Sequence, residues 1–215
     1  MQIPRPGRAP AVVVALAGVV AILGSAVAAQ AAPMLRLDRA VSAALYAGDD
    51  RPGWLEAVLQ VATAPGSSAV RAVVLLPVLA VLVRRRAWRT AGWVLVAGGL
   101  VGFLTTALKE LVGRSRPQFA EGGAELDSLS FPSGHASGVA ALVTVGLVLA
   151  GPSLSPSGRR WAVAGGVALG LLVGCTRLWL GVHFPSDVVG GWALGVGWTL
   201  LTGLAFRVLP GRLSA

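Results

Sequence analysis

The stretch "FPSGHASGVAALVTVGLVLAG", residues 131–151, joins two kinds of chemistry. A turn-forming Pro-Ser-Gly-His runs straight into about fifteen residues of Gly, Ala, Val and Leu. About 20 apolar residues of helix cross the roughly 30 Å hydrocarbon core of a bilayer. Residues 136–151 come near that length, and five further runs match them: 11–30, 68–83, 91–112, 161–180 and 188–208. Only 13% of the chain is charged, with a mean hydropathy of +0.75, whereas a soluble domain carries about 25% charged residues. The pattern predicts an all-α integral membrane bundle of six transmembrane helices. One bundle uses up the length, so residues 1–215 are expected to form a single domain.

Glycine recurs in "GVALGLLVG" and "GGWALGVGW", where small residues let helix backbones approach closely in lipid. The run 68–83 is the weakest. It is short, has Pro77 in its middle and Arg71 near one end, so a kink is expected, with Arg71 snorkelling outward. Between the first two runs, "LDRAVSAAL" and "WLEAVLQVA" place apolar residues at helical spacing among scattered charges. They predict helices lying along the membrane interface. Trp54, Trp88, Trp161, Trp179 and Trp192 fall near expected span ends, where indole rings anchor at headgroup level.

A net charge of +9 raises the question of nucleic acid, but the basic residues fall in short clusters between apolar runs rather than on one face. With a cytoplasmic N-terminus, ten arginines lie inside: 5, 8, 84, 85, 86, 89, 159, 160, 207 and 212. Five lie outside: Arg36, Arg39, Arg51, Arg71 and Arg114. The excess favours both termini in the cytoplasm. The small residues of "AVAAQAAP" also fit a signal-peptidase site, and cleavage there would leave five spans. Arginine almost wholly replaces lysine beside abundant Ala, Gly and Val, a bias of GC-rich bacterial genomes. Cys175 is the one cysteine, which excludes an intrachain disulfide and a cysteine metal site.

That topology brings two loops to the outer face: "KELVGRSRPQFAEGGAELDSLSFPSGH" and "TRLWLGVHFPSD". They carry Lys109, Arg114, Arg116, His135, Arg177, His183 and Asp187. Ionisable groups at membrane depth are costly, so their clustering indicates function. Lys109, Arg116 and Arg177 suit a multiply charged anion, and the arginine fork suits phosphate. Ser133 is placed to cap the helix that opens near His135, whose free amides, with Gly134, form an anion site. Alone, the motif also reads as a plain helix start. Asp187, four residues after His183, is within reach of its ring across Pro185. A carboxylate there fixes the tautomer and frees the other nitrogen for attack; alone, the pair also reads as a pin between loop and helix. His135, with no carboxylate near it in sequence, is cast as the general acid. Arg114 is expected to be solvated or headgroup-facing. No metal or other cofactor is expected, because cations do the neutralising and no metal-ligand spacing is present. The Gly-rich, acidic loop 118–130 is expected to influence which headgroup is accepted.

These residues resemble the type 2 phosphatidic acid phosphatase family, the lipid phosphate phosphatases. Lys109, Arg116 and Pro117 match its first motif, residues 132–135 its second, and Arg177, His183 and Asp187 its third, with Thr176 where the family usually has Ser. The resemblance extends by hydropathy over nearly the whole chain, to the six-helix bacterial form. It implies a helical core shared with vanadium haloperoxidases, His183 as nucleophile supported by Asp187, His135 as acid, and phosphate binding by the remaining matched residues. The expectation is a membrane enzyme of the bacterial plasma membrane, facing outward. It would remove a terminal phosphate from a lipid phosphate or diphosphate: polyprenyl diphosphate, phosphatidic acid or phosphatidylglycerol phosphate. A lipid phosphotransferase would use the same residues with another acceptor. Six apolar spans argue against a haloperoxidase, and the intact charged set against a non-catalytic scaffold.

Overall fold

The computed structural model describes residues 8–119 and 128–209. Residues 120–127, most of the loop expected to influence headgroup choice, lie outside the described residues. Among the described residues the secondary structure is helical, with no strand. Nine α-helices follow one another: α1 (Arg8–Ala28), α2 (Ala32–Leu45), α3 (Gly53–Thr63), α4 (Ser68–Arg84), α5 (Trp88–Val94), α6 (Val101–Val112), α7 (Gly134–Ala150), α8 (Pro156–Trp179) and α9 (Pro185–Ala205).

Five helical stretches are long and apolar enough to cross a membrane: α1, Trp88–Val112, Gly134–Ser153, α8 and α9. A further helix pair fits either a broken sixth span or a re-entrant loop. Gly53–Gly66 and Ser68–Arg84 pass only as a pair, bent by 44°. The break has a local cause, since Ser67 leaves the helical conformation and its hydroxyl accepts the Val70 amide at 3.2 Å. Within Trp88–Val112, residues Leu95–Gly99 wind as a π-helix, a feature often found at functional sites.

The bundle is built around α7 and α9, with α1 along one side of α9 and α8 along α7. Gly191 and Gly195 permit this. A Cβ on Gly191 would sit 2.6 Å from the Ser133 carbonyl, and one on Gly195 would sit 2.8 Å from Ala140 Cβ. Replacing either would prise α9 away from the Pro-Ser-Gly-His turn. The C-terminal ends of α6 and α8 and the N-terminal ends of α7 and α9 therefore gather at one end of the bundle. Towards the other end, Leu75, Trp93, Val94, Ala97 and Val145 form the main apolar core.

Two sequence expectations need correction. Arg71 does not snorkel outward. It is 6% exposed, donating from Nε to the Gly98 carbonyl of the π-helix at 2.8 Å and from Nη2 to Ser68 Oγ at 3.1 Å. Its face of α4 is turned towards α7, so the bundle interior was nearer than the headgroups. Trp192 is not at a span end. It lies inside α9, packed against Gly174 and the Ala136–Leu178–Val188 cluster.

Candidate active site

Gly113, at φ +68°, ends α6 in the left-handed region and turns the chain into an extended stretch carrying Arg114 and Arg116. Arg116 then ties two loops together. Its Nε and Nη2 donate to the carbonyl and hydroxyl of Ser128 at 2.7 and 2.8 Å. Its Nη1 donates to the Val182 carbonyl at 2.6 Å and lies 3.5 Å from His183 Nε2. Lys109, in the last turn of α6, donates to the carbonyls of Leu129 and Ser130.

The Pro-Ser-Gly-His turn docks directly on the third motif, with the Ser133 amide donating to the Asp187 carbonyl at 2.9 Å. Ser133 caps α7 as expected, accepting from the Ala136 amide at 3.5 Å. Gly134 and His135 thus open α7 with first-turn amides that have no intrahelical acceptor. Arg177, in the last turn of α8, donates from Nη1 to Thr63 Oγ1 at 3.3 Å. Its buried Nε has no hydrogen-bond partner among the described residues. A buried donor left unpaired costs about 1–3 kcal/mol, and a phosphate oxygen would satisfy it. Mutual electrostatic influence links Lys109 with Arg116 and Arg177, and His135 with His183, Arg116 and Arg177.

The third motif holds the site's most buried polar pair. Asp187 is 0% exposed and His183 2%. Asp187 Oδ2 accepts from the Phe184 amide at 2.8 Å, from Ser130 Oγ, and faces His183 Nδ1 at 3.4 Å. The carboxylate assigns the ring proton to Nδ1, which leaves the Nε2 lone pair beside Arg116. Burial pushes the His183 imidazole down to about 4, against an opposite pull from Asp187. The ring is therefore neutral at ordinary pH.

Arg114 is the main correction. It is neither solvated nor headgroup-facing: it is 8% exposed and central to a buried network. Its Nη1 donates to Asp187 Oδ1 and Ser186 Oγ, both at 2.7 Å, and its Nη2 to Asp38 Oδ2 at 2.6 Å. Its guanidinium also lies 4.0 Å from the centre of the Phe184 ring. Asp38, on α2, accepts from the Ser186 amide at 3.0 Å and from Ser186 Oγ at 2.5 Å. Arg114 and Arg116 are two apart in sequence and both reach the third motif. Arg114 holds the carboxylate end of the His183–Asp187 pair and Arg116 stands beside Nε2 at the other. That two-residue spacing was the available signal for Arg114; Asp38 and Ser130 offered none.

Each residue picked out from sequence is at this end of the bundle: Lys109, Arg116, Ser133, Gly134, His135, Arg177, His183 and Asp187. Among the described residues, no group of three or more His, Cys, Asp or Glu could hold a metal ion. Three cations, one of them Arg177 with its unpaired Nε, and free helix amides beside a neutral imidazole are groups chemically suited to a tetrahedral polyanion.

Residues 90–209, more than half the chain, match the family model described as the PAP2 superfamily. The chain belongs to the PAP2 superfamily. Phosphatidylglycerophosphatase B of Bacillus subtilis (strain 168) is 35% identical to it over 153 residues, 68% of this chain and 72% of that protein. Decaprenylphosphoryl-5-phosphoribose phosphatase of Mycobacterium tuberculosis (strain ATCC 25618 / H37Rv) is 35% identical over 157 residues, covering 68% and 77% respectively. The crystal structure of a transmembrane PAP2-type phosphatidylglycerolphosphate phosphatase from Bacillus subtilis aligns with a TM-score of 0.71 at 31% identity. That match covers 94% of this chain and 98% of the other. The protein is a membrane phosphatase of the PAP2 type.

Proposed function

We propose that this PAP2 phosphatase removes the terminal phosphate from a lipid phosphate or diphosphate at the outer leaflet of the bacterial plasma membrane, through a phosphohistidine on His183. The observation that carries the reading is the placement of a neutral His183 Nε2 beside Arg116, with Asp187 behind the ring. The Nε2 lone pair attacks phosphorus. The bond to the lipid oxygen breaks, and His135 gives that oxygen its proton. Asp187 balances the positive charge that the ring gains. Water then attacks the phosphohistidine and passes a proton to His135. The P–N bond breaks, releasing inorganic phosphate and restoring His183. Lys109, Arg116, Arg177 and the Ser133–Gly134 turn hold the equatorial oxygens, where preorganised charge favours the transition state. The names of the relatives support a lipid substrate, and the arginine excess in the opposite loops supports the outward orientation.

The test is phosphate release from phosphatidic acid, phosphatidylglycerol phosphate and polyprenyl diphosphate by purified protein in detergent, with and without a chelator. Release is expected from at least one lipid, unchanged by chelation, and lost in His183→Ala. Full turnover in that variant would remove the phosphohistidine step, and a requirement for added divalent metal would overturn the cation-cradle mechanism.

A further inference from the structure

Arg71 belongs to none of the motifs and pairs with no carboxylate among the described residues. Among the described residues its two acceptors are neutral, the Gly98 carbonyl and the Ser68 hydroxyl. A cation 6% exposed inside a membrane bundle is costly unless an anion joins it. Its position is specific. Gly66 is clamped on the first turn of α7, where a Cβ on it would meet the His135 carbonyl at 2.7 Å. A Cβ on Gly138 would strike Arg71 Nη1. Residues three apart in a helix share a face, so Arg71 stands one helical turn, about 5 Å, below His135 on the same flank of α7.

Arg71 also lines a cavity of about 430 Å³ between α4 and the Trp88–Val112 crossing. Beyond Ser68 and Arg71 its walls are apolar or glycine, including Leu75, Leu79, Gly102 and Phe103. Leu76, Leu95 and Phe103 on its rim are exposed, so the cavity faces the space that lipid occupies. A second cavity of about 590 Å³, between α1, α6 and α9, is larger but has no charged residue in its wall. An alkyl chain alone would suit either one. A chain that carries an anion at its head suits the one with Arg71.

Resting on the lipid phosphatase reading above, we infer that the α4–α6 cavity takes the tail of the substrate lipid and that Arg71 binds a second phosphate, the one the lipid keeps. His135 serves the oxygen that leaves, and the retained phosphate is bonded to that oxygen in a diphosphate or lies a few atoms beyond it in a polyol-linked lipid, in both cases towards the bilayer. The ligand class is therefore a lipid with two phosphates, either a diphosphate or a phosphomonoester linked through a short polyol to a phosphodiester. Phosphatidic acid keeps no phosphate after cleavage and gains nothing from Arg71.

The experiment compares kcat/KM on phosphatidylglycerol phosphate and on phosphatidic acid with identical acyl chains, for wild type, R71Q and R71K. The ratio of the two values does not depend on how much of a variant is folded. A charge-assisted contact to phosphate predicts a fall in that ratio of about tenfold or more in R71Q and much less in R71K. A ratio unchanged within about twofold in R71Q, where a charge-assisted contact predicts far more, would overturn the assignment. A phosphatidylglycerol phosphate carrying a diazirine in its tail, bound to H183A protein and photolysed, should label α4 and the Trp88–Val112 crossing; labelling confined to α1 and α9 would place the tail in the other cavity and refute the inference. If wild type releases phosphate from neither lipid nor from polyprenyl diphosphate, the lipid phosphatase reading itself has failed, an outcome distinct from turnover with an unchanged ratio.

Discussion

Among the described residues, the two ends of the bundle differ in arginine, because buried arginines occur at only one of them. At the far end, Arg84, Arg85, Arg86, Arg89, Arg159, Arg160 and Arg207 are exposed. Where they bond at all, they take nearby backbone oxygens, as Arg89 does with the Phe206 carbonyl at 2.9 Å. At the site end, Arg71, Arg114 and Arg177 are each under 9% exposed. The exposed set costs little because solvent hydrates it, and its contribution is to orientation. The buried set is tolerable only where something meets each charge. Arg114 has two carboxylates, and Arg177 keeps an unpaired Nε beside the candidate phosphate site. A buried arginine whose partners do not complete its needs is thus the best marker of a ligand in this molecule.

The largest break in that contrast comes from the nucleophile. His183→Ala should lower turnover by about 10⁴-fold or more, while His135→Ala, which removes the leaving-group acid, should cost about 10²- to 10⁴-fold. Phosphate release under substrate saturation checks both. Quenching wild type with phosphate-labelled lipid in alkaline detergent should trap protein-bound phosphate that is stable to alkali and released by acid, absent from His183→Ala. Label retained in that variant would put the nucleophile elsewhere.

Next is Arg114→Met, which strands two buried carboxylates, Asp38 and Asp187. Removing one partner of a buried ion pair costs about 3–5 kcal/mol, so thermal unfolding in detergent should occur well below that of wild type. Arg114→Lys should recover part of this only, because one ammonium cannot span both carboxylates as the guanidinium fork does. Asp38→Asn should be milder than either. An Arg114→Met protein as stable as wild type would mean the network is solvated in the membrane.

How much of this was legible in sequence follows from the range of each interaction. The helices were readable because apolar runs report bilayer thickness directly. The convergence of the candidate residues was readable because each motif carries its own geometry: a cap at Ser133, and a carboxylate four residues from His183. The Arg114–Asp38 bond joins residues 76 apart in sequence, and α2 showed only an amphipathic pattern in which Asp38 looked like one more solvated charge. Arg71 was misplaced because the snorkelling rule assumes a lipid-facing position, and the face of α4 it occupies is set by packing against α7. The bend between α3 and α4 was equally hidden, since Ser67 becomes a cap only once the chain has turned there.

The same contrast governs pH. His183 is held down to about 4 chiefly by burial, with Asp187 pulling the other way. The ring takes a proton only in solution more acidic than the ordinary imidazole range, so the nucleophile stays competent as pH falls through about 6.5, the value for a solvated histidine. The acid limb of kcat/KM assigned to this ring should therefore lie well below that value. Asp187→Asn removes the influence that raises the ring's affinity for protons, so the limb should move lower still even as the rate drops. The ionisation of the substrate phosphate is common to both proteins, so the difference between the profiles isolates the ring. An unmoved limb would mean that something other than His183 sets it.

The smallest effect belongs to the far end. Arg159→Ala and Arg160→Ala remove exposed charges from the start of α8, and surface substitutions of this kind change stability by about 0.5 kcal/mol or less. Unfolding temperature and phosphate release should match wild type within error, singly and together. The readout that should move is topology. These two residues contribute to the arginine excess on their side, so a reporter fused after residue 209 should show some inverted protein in the double variant and none in wild type. Loss of turnover without inversion would show that these hydrated anchors are energetically coupled to the site at the other end of α8, a helix of 24 residues. The division between hydrated and ligand-demanding arginines would then no longer separate the two ends of the molecule.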